Sequence, residues 1–206
     1  MVAVPRLWPE STMVVCATGP SLTAEDVSYC RDKAHVIAVN DAHRLAPWAA
    51  CLYSSDASWY HRHDGASAYD GPKWTVDYGA WRDKYGVRYP AIQRLQNTGD
   101  AGIETDPSGL RNGRNSGYAA INLAIHYGAT RILLLGFDMG RWPGQPAHFF
   151  GDHPGSLQQR SPFVTFIAMF RTMVAPLKAL GVEVINCTRG GRLNVFPRAD
   201  VREVLA

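Results

Sequence analysis

The chain has 206 residues, of which 46% are hydrophobic, 19% charged and 11% aromatic. That length and mix support a buried core without disulfides or a structural metal, and they exclude a disordered or fibrous protein. The net charge of +3, from 21 Lys+Arg against 18 Asp+Glu, is too mild to mark a dedicated nucleic-acid binder.

The charge is unevenly placed. Residues 1–100 carry 10 basic and 11 acidic groups, whereas 101–206 carry 11 basic and 7 acidic, and ten of those eleven are arginine. Arginine's rigid fork suits phosphate or carboxylate, although a GC-rich genome favours arginine as well. The four cysteines, Cys16, Cys30, Cys51 and Cys187, form no C-x-x-C pair and read as buried thiols of a reducing compartment. No apolar run approaches the roughly 18–20 residues that span a bilayer, and MVAVPRLWPESTMVV lacks a basic segment followed by an apolar one. The expectation is a soluble cytoplasmic protein, a single domain over 1–206, with no membrane partner.

In chain order, short apolar runs at Thr12–Ala17, His35–Val39, Ala50–Tyr53, Arg131–Leu135 and Val182–Asn186 predict strands covered on both faces. Leu22–Asp32, Asn115–Tyr127 with Gly128 as its stop, Ser161–Leu180 and Ala199–Leu205 predict helices. Pro176 must kink or split the third of these. Residues 56–114 hold no long periodic element and are expected to be elaborated loop with short helices near Trp59–His63 and Tyr78–Tyr85. A second long loop spans Gly140–Gln159. The alternation predicts an α/β fold: a single Rossmann-like domain, mostly parallel sheet with helices on both faces. Ligands of such sheets bind at the carboxyl ends of the strands. The two loop regions are then candidates for acceptor site and lid, although the aromatic one suits an interface between copies equally well.

Five segments at strand ends carry residues with chemistry. Thr18-Gly19-Pro20-Ser21 is either a phosphate cradle or a plain turn with Ser21 as N-cap. Asn40-Asp41 and Ser54-Ser55-Asp56 suit ribose or base contacts, or simple turns. Arg111-Asn112-Gly113-Arg114-Asn115-Ser116-Gly117 leads into the most helical segment, whose N-terminus favours an anion that Arg111 and Arg114 would clamp. Gly136-Phe137-Asp138-Met139 and His148-Phe149-Phe150-Gly151-Asp152-His153 supply either a base with an orienting carboxylate, a metal site, or unconnected loop residues. His148 and His153 do not have the i, i+4 spacing of a helical zinc pair. The last segment, Asn186 to Arg198 with Arg189 beside a glycine pair, suits an anion or a turn. Trp59, Trp74, Trp81 and Trp142 either stack on a ligand or pack.

TGPSL, AVND, NSGYAAINLAIHYGATRILLLGFDM and VEVINCTRGGRLNVFP, in this order, resemble the bacterial sialyltransferase-like glycosyltransferases, glycosyltransferase family 42. They are also similar to 6-hydroxymethylpterin pyrophosphokinase-like relatives and to tailed-phage proteins with a GDHP segment. The resemblance implies that Gly19, Pro20, Ser21, Asn40, Ser116 and Gly117 hold a cytidine nucleotide. His153 in GDHP would be the base on the acceptor hydroxyl, or else His148, with Asp138 or Asp152 orienting it. It implies no metal-binding Asp-x-Asp and no required cofactor. Thr18 and Ser54-Ser55-Asp56 stand where that family often has asparagines, and the tyrosines that hold its departing phosphate have no counterpart after Asp138.

Together these point to a metal-independent glycosyltransferase that uses a nucleotide-activated donor. The acceptor is unassigned; a glycan, or DNA, is compatible with the basic second half. The alternatives are a diphosphotransferase, with magnesium on Asp138, Asp152 and Asp56, and a non-catalytic nucleotide-binding protein.

Overall fold

The computed structural model describes residues 2–77, 88–152 and 161–206. The helix predicted at Tyr78–Tyr85, His153 and the end of the expected lid lie outside them. The described strands are β1 (Thr12–Cys16), β2 (His35–Val39), β3 (Cys51–Tyr53), β4 (Lys73–Asp77), β5 (Ile92–Asn97), β6 (Gly109–Leu110), β7 (Arg131–Leu135) and β8 (Glu183–Asn186). They form one sheet in the order β6-β5-β4-β3-β2-β1-β7-β8, and every pairing is parallel. Val15 sits opposite Ile37 of β2 and Leu134 of β7, so β1 is central.

The apolar runs at β1, β2 and β7 are buried on both faces because helices cover both. On one side Met13, Val15, Ile37, Val39, Ile132 and Leu134 pack with α3 (Ser116–Tyr127), α4 (Phe163–Arg171) and α5 (Val174–Ala179). On the other, Val14, Cys16, Val36, Ala38, Leu133 and Leu135 pack with α1 (Ala24–Tyr29), α2 (Ala57–Arg62) and α6 (Val201–Val204). Each large apolar side chain buried this way contributes roughly 1.5–3 kcal/mol.

Two local devices fix α3 over the sheet. Asn115 caps it, its Oδ1 accepting the Tyr118 N–H at 3.1 Å, and Gly128 ends it at φ 108°, a conformation that favours glycine. The predicted helix over 161–180 is two helices. Pro176 has no N–H to offer the Thr172 carbonyl, so α4 stops at Arg171 and α5 begins at Val174, which places Pro176 in its first turn.

The expectation for 56–114 needs correction. The short helix expected near Trp59–His63 is α2, but the region also contains three parallel strands, β4, β5 and β6, that extend the sheet beyond β3. Their apolar content is too short and interrupted to stand out: β4 is KWTVD, β5 is IQRLQN, and β6 is two residues long.

Candidate functional site

Because all the strands are parallel, the segments that follow them converge on one edge of the sheet. The strand order reverses between β1 and β7, and such a switch opens a crevice. A cleft of about 470 Å³ lies there. Its walls include Thr18, Gly19 and Pro20 after β1, Asn40 after β2, and Asp56, Ser58 and Arg62 of the α2 region. Arg114, Asn115, Ser116 and Gly117 border it at the start of α3, and Asp138, Met139, Arg141 and His148 after β7. Ser161, Phe163 and Phe166 complete it.

The first turn is held by the last. Asp138, 3% exposed, accepts the Ser21 hydroxyl at 2.9 Å and the Ser21 N–H at 3.2 Å. Burial pushes its carboxyl above the usual range, and the two bonds from Ser21 oppose that shift. Gly19 donates its N–H to the Gly136 carbonyl at 2.9 Å, and a Cβ there would meet Asp138 Oδ2 at 1.9 Å and that carbonyl at 2.5 Å. Only glycine fits so close an approach. The Asp138 carbonyl in turn accepts the Arg192 N–H at 2.7 Å, which ties in the loop after β8.

Three polar atoms of residues that line the cleft have no partner among the described residues. Asn40 starts a 3-10 turn at φ 51°, which asparagine tolerates, and its buried Oδ1 has no hydrogen-bond partner among the described residues. The N–H groups of Ser116 and Gly117, in the open first turn of α3, have no acceptor among the described residues. Two unmatched donors at the positive end of a twelve-residue helix favour an anion. Gly117 is required there, because a Cβ would meet the Phe137 ring at 2.7 Å. Ser116 Oγ accepts the Ser55 N–H at 3.1 Å and so joins the β3 end to the α3 start.

His148 lies in the cleft with Nδ1 3.0 Å from Thr18 Oγ1 and its ring stacked on Phe150 at 5.0 Å. The Phe149 N–H to the Thr18 carbonyl, 3.1 Å, fixes the same loop segment. Thr18 is a described hydrogen-bond partner of this imidazole. Asp138 is engaged by Ser21. Asp152 accepts the Ala147 N–H at 2.9 Å and lies 3.7 Å from Arg141.

Other predicted residues are placed elsewhere. Asp41 is buried outside the cleft lining, accepts the Trp59 indole N–H at 2.8 Å, and lies 3.8 Å from both Arg44 and His63. Arg189 pairs with Asp26 at 2.7 Å on the α1 side. Arg114 borders the cleft but is paired with Asp100 at 2.9 Å, and Arg111 is held by the Thr98 carbonyl and Glu104. Asp56 also borders the cleft, but its Oδ1 caps α2 through the Ser58 N–H at 2.8 Å. Sequence reasoning passed over Arg62, Ser58, Arg141 and the phenylalanines of α4. None stands in a motif; the α2 residues enter because the segment after β3 emerges at the same edge of the parallel sheet as those after β1 and β2. Among the described residues no group of three or more His, Cys, Asp or Glu side chains is arranged to hold a metal ion, and no helix is long and apolar enough to cross a membrane.

No family model matches the chain, and no curated protein does. Among solved structures, the sialyltransferase CstII from Campylobacter jejuni, in complex with the substrate analogue cytidine-5′-monophosphate, is similar with a TM-score of 0.57. The match covers 93% of this chain and 86% of that one at 12% identity. The likeness is one of fold, a single parallel sheet with helices on both faces.

Proposed function

We propose that this protein is a glycosyltransferase that draws a sugar from a nucleotide-activated donor and passes it to an acceptor hydroxyl without a metal ion. One observation carries the reading. The unmatched N–H groups of Ser116 and Gly117 and the residue Asn40, whose buried Oδ1 has no partner among the described residues, belong to the lining of a single cleft at the switch between β1 and β7. The α3 N-terminus takes the donor's phosphate oxygens, and Asn40, at the β2 end of the lining, contacts its nucleoside. The sialyltransferase that shares the fold binds a cytidine nucleotide, which supports a nucleotide in this cleft.

His148 is the proposed base among the described residues. The tautomer that donates Nδ1–H to Thr18 carries its lone pair on Nε2, which takes the acceptor proton. The acceptor oxygen bonds to the sugar's anomeric carbon as the bond from that carbon to the phosphate oxygen breaks. The electron pair leaves with the nucleotide, whose growing charge the helix terminus stabilises. His153, the other sequence-based candidate, is tested beside it.

A thermal-shift panel of nucleosides, nucleotides and nucleotide sugars, with magnesium and with chelator, tests this reading. A ligand at a hundred times its dissociation constant adds about 2.7 kcal/mol and raises Tm by several degrees. Stabilisation by a nucleotide and its sugar conjugate in chelator is expected, followed by sugar transfer that persists in chelator. Stabilisation only by a triphosphate with magnesium would favour the diphosphotransferase. Silence across the panel would refute the nucleotide site.

A further inference from the structure

Among the described residues three arginines border the cleft, and two of them are already matched by carboxylates. Arg114 is paired with Asp100 at 2.9 Å and Arg141 with Asp152 at 3.7 Å. Arg62, in the last turn of α2, has no ion pair or hydrogen-bond acceptor among the described residues. The carboxylate that caps α2, Asp56, is engaged at the other end of the helix, its Oδ1 accepting the Ser58 N–H at 2.8 Å. Ser58 and Arg62 are one helical turn apart, so both side chains project from the same face of α2, and both line the cleft. An unmatched guanidinium therefore shares the cleft with the unmatched N–H groups of Ser116 and Gly117.

We propose that Arg62 is an anion-recognition residue, binding an oxyanion of the substrate through its guanidinium fork. The inference rests on the nucleotide-donor reading above. Two sources share this chemistry: the phosphate of the nucleotide, and a carboxylate on the group being transferred. Either forms a charge-assisted hydrogen bond, with bidentate geometry available to arginine and not to lysine.

Calorimetric titration of wild type, Arg62→Gln and Arg62→Lys with cytidine, cytidine-5′-monophosphate and a non-transferable cytidine-linked carboxylated sugar separates the outcomes. If the phosphate is the anion, Arg62→Gln weakens the monophosphate by about 10- to 100-fold, leaves cytidine unchanged, and Arg62→Lys recovers part of the loss. If the carboxylate is the anion, monophosphate binding is unchanged and the carboxylated conjugate weakens by a similar factor. Equal affinities of wild type and Arg62→Gln for all three ligands overturn the proposal and leave the nucleotide reading standing. Absence of any binding by wild type, here and across the nucleotide panel above, overturns that reading and this inference with it. Arg62 is exposed, so both variants are expected to keep the wild-type Tm, and the salt dependence of wild-type monophosphate binding gives a readout that no variant's folding affects.

Discussion

Asp138 accepts both the backbone N–H and the hydroxyl of Ser21, at 3.2 and 2.9 Å, and thereby fastens the end of β7 to the turn after β1. Removing the carboxylate strands two donors, whereas removing the hydroxyl leaves the backbone bond in place. Asp138→Ala is expected to cost about 1–3 kcal/mol and Ser21→Ala about 1 kcal/mol. A double-mutant cycle by urea denaturation should show coupling of at least about 0.5 kcal/mol; strict additivity would contradict the contact. Loss of the Ser21 hydroxyl should also raise the Asp138 carboxyl further above its usual range, visible by NMR titration.

Gly19 is constrained by space. A methyl group there would press on the Asp138 carboxylate and on the Gly136 carbonyl, and the backbone carbonyl has little room to yield. Gly19→Ala is expected to destabilise by about 2–3 kcal/mol and to abolish ligand-induced thermal shifts. Wild-type stability in that variant would mean the turn is looser than described.

For catalysis, His148→Ala is expected to keep donor binding while kcat falls by about 10²- to 10⁴-fold. Thr18→Val, which removes the hydroxyl that orients the imidazole, should lower kcat by a smaller factor and leave the donor's thermal shift intact. Full turnover in His148→Ala with loss in His153→Ala would transfer the base role to His153.

Acid should weaken the fold in two steps. Burial holds the imidazoles of His126, His35 and His63 below 6.5, and His126 donates Nε2–H to the Gly109 carbonyl at 2.9 Å. Below about 6.5 the unfolded chain therefore binds more protons than the folded one, so this stability is full above that pH and lost as pH falls toward the folded values. The Arg114 guanidinium beside Asp100 holds its carboxyl below 3.8, and that contribution is lost only at lower pH, as it falls through the folded value. The urea midpoint should drop between pH 7.5 and 5.5, and His126→Gln should flatten the drop. A level profile in wild type would contradict the buried neutral imidazoles.

The cysteines give a probe of the native core. Burial pushes the thiols of Cys30, Cys51 and Cys187 up to about 12 and raises Cys16 well above its ordinary value. All four should be silent to a thiol reagent at pH 8 in the native state and react together on denaturation. Rapid reaction of any one would show local opening around it.

The legible parts of this fold are those where burial on both faces leaves an uninterrupted apolar run. HVIAV and RILLL coincide with β2 and β7, and the Gly128 stop coincides with the end of α3. The strands β4 to β6 were hidden because Lys73, Arg94 and the glutamines of β5 break their runs and tertiary pairing supplies the rest. At the site, parallel strands deliver their loops to one edge, so the turn residues could be named from strand ends. Which arginine is matched could not, since Asp100, Asp152 and Asp26 reach their partners through contacts that sequence spacing does not encode.

The place of β1 in the sheet has a kinetic corollary. Its neighbour β2 follows closely in the chain, but β7 arrives only after β2 to β6 and α3 have been made, and Ser21 and Asp138 are 117 residues apart. Closing so large a loop carries an entropic penalty that must be met before the β1–β7 ladder returns anything. During synthesis the amino-terminal half therefore waits with one side of β1 unpaired, and the cleft is among the last features to assemble. A nascent chain halted ahead of Arg131 presents an open strand edge where the finished molecule has β7, a natural target for a chaperone or for aggregation.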